Sequence, residues 1–354
     1  MGVPGLLRNI LDKMKDVHFW DDNFKIDYLF FDFNPIIYDC ARELELLKTW
    51  NFSEPKDNTK FENELITYIM KKTKEIVTKL VKPTKLLYIA IDGPPPLSKI
   101  KQQRLRRFEK VKYQKFLKKE YPNEYVEGTH FDTNQFTPGT NFMYKLNKRF
   151  KKDIESKKFG NIEVVFNGSD IPGEAEHKFL PFIKKIDVKK DDRYCVYSKD
   201  ADQIVLLLKY TDRKMYILQP LKDKTIEQNY PDSQEFFYLD INKVAEQWGD
   251  SILENERKNK RRFQKGGNNA NFSFLNDFIF LTFLEGNDFV MPIYFLKYKE
   301  DYLRTLLGIY KFNRKFNKNL RLIHVNNGVY SINSKFLISI FKRLSDIEDG
   351  KLNE

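Results

Sequence analysis

The stretch from Leu87 to Arg107 brings a carboxylate and a cluster of cations within a few residues of one another. Leu87-Tyr88-Ile89-Ala90-Ile91 reads as a buried strand ending at Asp92, Gly93-Pro94-Pro95-Pro96 turns the chain, and a basic segment follows. On a helix, Lys99, Gln103, Arg106 and Arg107 stand at i, i+4, i+7 and i+8, within about 100° of one face. A planar amide and a guanidinium pair suit multidentate contact with a phosphate. Leu97, Ile100, Phe108 and Val111 gather on the adjacent side, which the pattern predicts to face the core, with Arg104 out of place. An acid and these cations together point to metal ions and a phosphate in one pocket.

Six further carboxylates close or follow apolar runs: Asp32, Glu174, Glu176, Asp200, Asp202 and Asp288. Each alone has an ordinary explanation as a cap or turn residue. Asp200-Ala201-Asp202 closes an apolar strand, where a period of two would aim both carboxylates at the same space. Glu174 and Glu176 follow Pro172-Gly173 at a helix start, where the helix-end dipole tolerates dense negative charge. With Asp92 they make seven acids, which would repel one another in one cavity unless cations shared it. Hard oxygen donors select Mg²⁺ or Mn²⁺ over zinc, and two such ions about 4 Å apart suit in-line hydrolysis of a phosphodiester. No Ser-His-Asp or Cys-His arrangement and no Gly-rich phosphate loop competes. The residues read as a metal-dependent nuclease.

The elements that must carry these residues alternate. Strands are expected at Tyr28–Phe33, Leu86–Ile91, Ile162–Phe166 and Tyr194–Tyr197, and helices over Phe61–Leu80, Lys99–Lys119, Glu174–Ile186 and Ala201–Leu208. The fold class is therefore α/β, a mostly parallel central sheet flanked by helices, with the ligand site beyond the carboxyl ends of the strands. The acids sit at those ends. Met215–Gln219 and Glu235–Asp240 read as two further strands, Arg257–Asn271 as a mobile basic loop, and Phe274–Leu284 as an apolar helix breaking at Gly286-Asn287-Asp288. The remainder reads as a largely helical C-terminal extension with a turn at Asn326-Asn327-Gly328, giving an expected nuclease domain over 1–295 and an extension over 296–354.

The chain has 354 residues, 41% hydrophobic and 32% charged, with a net charge of +12, enough to bury a large core and to favour a polyanionic partner. A Lys- and Asn-rich composition can produce the same charge, so the basic balance gains meaning only at a site. Cys40 and Cys195 exclude a disulfide scaffold and a cysteine zinc site. His18, His130, His177 and His324 show no metal-ligand spacing, and a structural or surface role is expected for each. No secretory pattern, myristoylation signal or membrane-length apolar run is present, so the expected location is intracellular, the cytoplasm ahead of the nucleus.

In order along the chain, these segments resemble the 5′→3′ exoribonucleases of the XRN type, within the flap-nuclease, PIN-like superfamily. The resemblance runs through Met1-Gly2-Val3-Pro4, Asp32-Phe33-Asn34-Pro35-Ile36-Ile37, and Asp92-Gly93 with Gln102-Gln103-Arg104-Leu105-Arg106-Arg107-Phe108. It continues through Thr137-Pro138-Gly139-Thr140-Asn141-Phe142-Met143, Pro172-Gly173-Glu174-Ala175-Glu176-His177-Lys178, Asp200-Ala201-Asp202, Gly286-Asn287-Asp288-Phe289 and His324-Val325-Asn326-Asn327-Gly328. It implies that the seven acids are catalytic metal ligands for two Mg²⁺ or Mn²⁺ ions. It also implies that Lys99, Gln103, Arg106 and Arg107 bind the 5′-monophosphate of single-stranded RNA, with Asn34 and Tyr38 as further substrate contacts. The products would be nucleoside 5′-monophosphates and the chain a monomer, with its protein partners left open and decapping or RNA-processing factors as candidates. Two departures stand out. Tyr38 occupies the place of a histidine that stacks on a base in the family, where its ring serves either base contact or the core, and the sequence stops where the resemblance leads one to expect the family's second conserved segment and accessory domains. A flap-type DNA nuclease would share the acids, yet the residues after Asp288 lack that group's Gly-rich duplex-gripping pattern. An inactive RNA-binding scaffold would have lost acids, and all seven are here.

Overall fold

The structure, a computed structural model, describes residues 6–122, 128–221, 235–257, 273–284, 286, 290–291, 293, 302–316 and 320–352. These fall into two compact units. One comprises Phe19–Lys199 and Asp212–Leu239; the other draws on Met1–His18, Asp200–Thr211 and Asp240–Glu354 as far as these are described.

In the first unit the strands are short apolar runs. β2 (Tyr28–Asp32), β3 (Leu86–Ala90), β4 (Glu163–Asn167), β5 (Arg193–Tyr197) and β6 (Lys214–Pro220) pair in parallel, β2 lying between β3 and β5. With β1 (His18–Phe19) and β7 (Phe236–Asp240) the sheet has the order β1-β7-β6-β5-β2-β3-β4. Strands buried on both faces need continuous apolar sequence, which Leu29-Phe30-Phe31 and Leu86 to Ala90 supply. Leu29, Phe31, Leu87 and Ile89 pack on one face against α2 (Asn34–Leu47), α3 (Pro55–Glu75) and α5 (Asn141–Glu155), through Ile36, Phe61, Leu65, Phe142 and Phe150. On the other face Phe30 and Tyr88 meet α6 (Ala175–Lys185), with the Phe30 and Phe179 rings 5.9 Å apart. The expected α/β architecture, a mostly parallel sheet between helices, is what the chain forms.

Differences from the sequence expectation are local. The helix expected over Phe61–Leu80 begins earlier, at Pro55, and its last turn, Ile76–Val81, widens into a π-helix ended by Lys82 in the left-handed region. α4 (Leu97–Glu120) forms where expected, but its predicted core side is reversed. Leu97 and Phe108 are 82% and 71% exposed, and Ile100 and Val111 are exposed too. The helix instead turns Lys99, Gln103 and Arg107 inward. Lys99 stands roughly opposite Leu97 on the helix, so anchoring the polar side to buried acid leaves the apolar stripe outside.

In the second unit, which also contains α1 (Leu6–Lys13), helices Ser273–Leu284, Tyr302–Phe316 and Ser334–Leu352 share a core of Phe274, Leu281, Leu306, Tyr310, Phe336 and Ile340. The turn at Asn326-Asn327-Gly328 is not a link within helical sequence as expected. It joins β8 (Ile323–Asn326) and β9 (Val329–Ile332) in an antiparallel hairpin. Asn327 and Gly328 both have positive φ, the pair of conformations that a two-residue hairpin turn needs. The expected domain boundary at 295, the basic stretch 258–271 and the opening Met1–Pro4 lie outside the described residues.

Candidate active site

Within the first unit, the site is built at the carboxyl ends of β2 and β3. Asp32 ends β2 and is buried, accepting a hydrogen bond from Ser198 Oγ at 2.9 Å; Ser198 directly follows the neighbouring strand β5. Asp92 comes two residues after β3. Its Oδ1 accepts from the Ala175 N–H at 2.9 Å and its Oδ2 from Asn34 Nδ2 at 2.7 Å. Glu174, also buried, sits at the N-cap of α6, and Glu176 lies in the first turn. The loops carrying Asp92 and Glu174 are joined by the backbone, Gly93 N–H to Gly173 O at 2.9 Å and Gly173 N–H to Pro94 O at 3.0 Å.

These acids crowd one another. Burial pushes the Asp92 carboxyl up to about 6, with Glu174 adding to the rise and the Ala175 N–H and the Lys178 and Lys99 cations opposing it. Burial pushes Glu176 up to about 8, reinforced by Asp92 and Glu174. Carboxyls held this far above their ordinary range are short of positive charge. Oxygen atoms of Glu174 and Glu176 and an imidazole nitrogen of His177 lie within 4.8 Å of one another, close enough to serve one cation. Carboxylate oxygens buried together and under-neutralised fit Mg²⁺ or Mn²⁺.

The basic helix reaches this cluster through Lys99, whose Nζ stands 3.1 Å from Glu174 Oε1 with both side chains nearly buried. One turn on, Arg107 Nη2 donates to Gln103 Oε1 at 3.3 Å, and Arg106 is exposed. Tyr38, on α2, is 44% exposed and meets Phe136 edge to face at 5.1 Å. Burial raises its hydroxyl pKa, the Asp92 charge raises it further, and Arg107 and Arg106 pull the other way. The ring thus lies in the field of both the acid and the arginines.

The structure therefore gathers Asp32, Asn34, Tyr38, Asp92, Lys99, Glu174 and Glu176 in one unit, with Gln103, Arg106 and Arg107 along the same helix. Asp200 and Asp202 belong to the other unit; the helix expected over Ala201–Leu208 forms, and the period-two strand placement of the two acids does not. β5 ends at Tyr197, Asp200 is exposed in the following turn, and Asp202 is the first residue of α7 (Asp202–Leu207). Hydrogen bonds from the Gln203 and Ile204 N–H groups to the Asp200 and Ala201 carbonyls turn the chain into that helix. Asp288 lies outside the described residues.

Two residues escaped the sequence reading. His177 belongs to the donor group above, and its signal was the density of Glu-Ala-Glu-His rather than a known spacing. Lys178 is buried, donates to the carbonyls of Ile91 and Gly168, and has its pKa lowered to about 8 by burial. A lysine on the apolar stripe of Ala175, Phe179 and Ile183 was the visible sign.

Residues 1–221 match the model of a family described as XRN 5′-3′ exonuclease N-terminus. Similar proteins include 5′-3′ exoribonuclease 1 of Saccharomyces cerevisiae, 29% identical over 100% of this chain and 21% of the yeast protein. The proteins of the same name from Schizosaccharomyces pombe and Homo sapiens are 31% and 29% identical, each over 88% of this chain and over 24% and 18% of their own lengths. The chain thus spans about a fifth to a quarter of the length of these curated relatives. Among the described residues, no helix is long and apolar enough to cross a membrane.

Proposed function

The chain belongs to the XRN 5′-3′ exonuclease family, and on that footing we propose that it shortens single-stranded RNA bearing a 5′-monophosphate, releasing nucleoside 5′-monophosphates from the 5′ end. The observation that carries this reading is the Lys99–Glu174 ion pair, which joins the head of the basic helix to the buried acids. Phosphate recognition and hydrolysis would then be about one nucleotide apart.

Asp32, Asp92, Glu174 and Glu176, with Asp200, Asp202 and Asp288, would hold two Mg²⁺ or Mn²⁺ ions. When bound, such ions supply Lewis acidity and neutralise charge that develops on a phosphodiester. The protein's own residues orient the substrate. Arg106 and Arg107 offer forked donors to the terminal phosphate, Gln103 adds an amide, and Lys99 a point charge. Tyr38 presents a ring on which the first base can stack. After each cleavage the newly exposed 5′-phosphate moves into the place of the last.

The test offers matched RNAs with 5′-monophosphate, 5′-hydroxyl, 5′-triphosphate or capped ends, together with single-stranded and flapped DNA, in Mg²⁺ and in Mn²⁺. Mononucleotides from the monophosphate RNA are expected. Oligonucleotides from flapped DNA, with RNA left intact, would overturn the reading. Arg106→Ala and Arg107→Ala should each slow 5′-monophosphate RNA more than 5′-hydroxyl RNA, and equal losses on both would remove the two arginines from end recognition.

A further inference from the structure

Asn34 occupies a position that the sequence suggested for substrate contact, yet both ends of its amide are engaged by one acid. Its Nδ2 donates to Asp92 Oδ2 at 2.7 Å, and its Oδ1 accepts from the Asp92 N–H at 3.1 Å. The backbone sets this pairing up. The register of β2 and β3 aligns Asp32 with Ala90, and Phe33 N–H continues the ladder to the Ala90 carbonyl at 3.0 Å. That brings the first residue of α2 beside the second residue past β3. Pro35 follows at once, fixing the backbone torsion at the head of the helix.

We infer that Asn34 is a positioning residue that fixes the rotation of the Asp92 carboxylate, and not a contact to RNA. The inference rests on the proposed metal-dependent reading of the site. A carboxylate has about four lone-pair sites. Here one on Oδ1 is taken by Ala175 and one on Oδ2 by Asn34, so the plane of the carboxylate is set from two elements at once. The remaining lone pairs are left for a cation shared with the neighbouring acids: the Asp92 loop is bonded to the Glu174 loop through Gly93 and Gly173. The reciprocal bond to the Asp92 N–H holds the main chain as well as the side chain. Removing the amide would free the carboxylate to rotate about its last torsion, at a cost to cation binding rather than to RNA binding.

The experiment titrates Mn²⁺ into the full chain by calorimetry for the parent, Asn34→Ala and Asn34→Asp. It adds binding of a 5′-monophosphorylated RNA in chelator, and thermal unfolding in chelator. Loss of a hydrogen-bond partner to a metal-ligating carboxylate costs about 10–100-fold in affinity, and that weakening is expected for Asn34→Ala. Asn34→Asp keeps the acceptor for the Asp92 N–H but sets a carboxylate against Oδ2, so its loss should be larger. RNA affinity in chelator should match the parent for both, and at saturating Mn²⁺ the KM for RNA should be unchanged. Parent-like Mn²⁺ affinity with weakened RNA binding would overturn the inference and return Asn34 to the substrate. Parent-like Mn²⁺ affinity with only a lower unfolding temperature would overturn it in favour of a purely structural role. If Asn34→Ala fails to fold, the same readings on Asn34→Asp decide. Because Mn²⁺ binding is read without turnover, a parent protein that binds Mn²⁺ but spares RNA would count against the proposed function alone.

Discussion

Gly93 and Gly173 form the clasp of the site: the Gly93 N–H meets the Gly173 carbonyl at 2.9 Å, and the Gly173 N–H returns to Pro94 at 3.0 Å. Asp92 and Glu174 are the residues immediately outside this two-rung ladder, so a backbone clasp, with the Ala175 N–H bond to Asp92 Oδ1 beside it, holds two acids 82 positions apart as neighbours. Both glycines are needed sterically. A Cβ on Gly93 would fall 1.7 Å from the Ile171 carbonyl oxygen, and Gly173 has φ +101°.

Gly93→Ala is accordingly expected to open the clasp. Overpacking against backbone costs about 1–3 kcal/mol, which urea unfolding in chelator will register. Nuclease activity should fall well beyond the loss of folded protein, because Asp92 moves with the loop. Gly308→Ala, in the other unit, where nothing lies within 4 Å and φ is not positive, serves as the control for replacing a glycine in open space.

The raised carboxyls make the metal-free protein pH-sensitive. Folded Asp92 and Glu176 keep protons to about 6 and about 8, whereas the unfolded chain releases them near 3.8 and 4.5. The folded state therefore binds more protons between those limits, so stability from these groups is complete below the lower values and is lost as pH rises through the higher ones. In chelator, the urea midpoint should fall from about pH 5 to about pH 7.5, and Glu176→Gln should flatten that slope. Lys178, lowered to about 8, acts with the opposite sign at higher pH, which sets the upper end of the window. A midpoint that climbs across this range would contradict the crowding of acids.

Lys99→Met removes the cation from a nearly buried pair and leaves Glu174 uncompensated. Breaking such a pair costs about 3–5 kcal/mol, and pairing the change with Glu174→Gln should recover much of it. Equilibrium unfolding of the two single variants and the double variant in chelator measures the coupling. Additive losses would show that the pair does little for the fold.

A fourth expectation lies in the other unit. The Asp277 carboxylate accepts from the Leu322 N–H at 3.0 Å and the Ile323 N–H at 2.7 Å, and Tyr310 OH also donates to it. It thereby ties helix Ser273–Leu284 to the start of the hairpin and to helix Tyr302–Phe316. Asp277→Ala orphans two buried N–H groups, about 1–3 kcal/mol each, and should expose the hairpin to limited proteolysis. Tyr310→Phe removes one donor only and should do much less.

What the sequence determined was local. Five-residue apolar runs stopped by Asp, Gly or Pro named the strands and put Asp32 and Asp92 at their ends. Pro172-Gly173 marked the start of the helix that carries Glu174 and Glu176, because such signals depend only on near neighbours. The tertiary structure decided what depends on partners far along the chain. It chose the inward side of α4, since a buried Lys99–Glu174 pair outranks an apolar stripe. It gave Asn34 to Asp92 across 58 residues and brought Lys178 beneath the ends of two strands. Periodicity assigns a residue to a face, but register and loop geometry assign the face to a neighbour, and only the folded chain carries that second assignment.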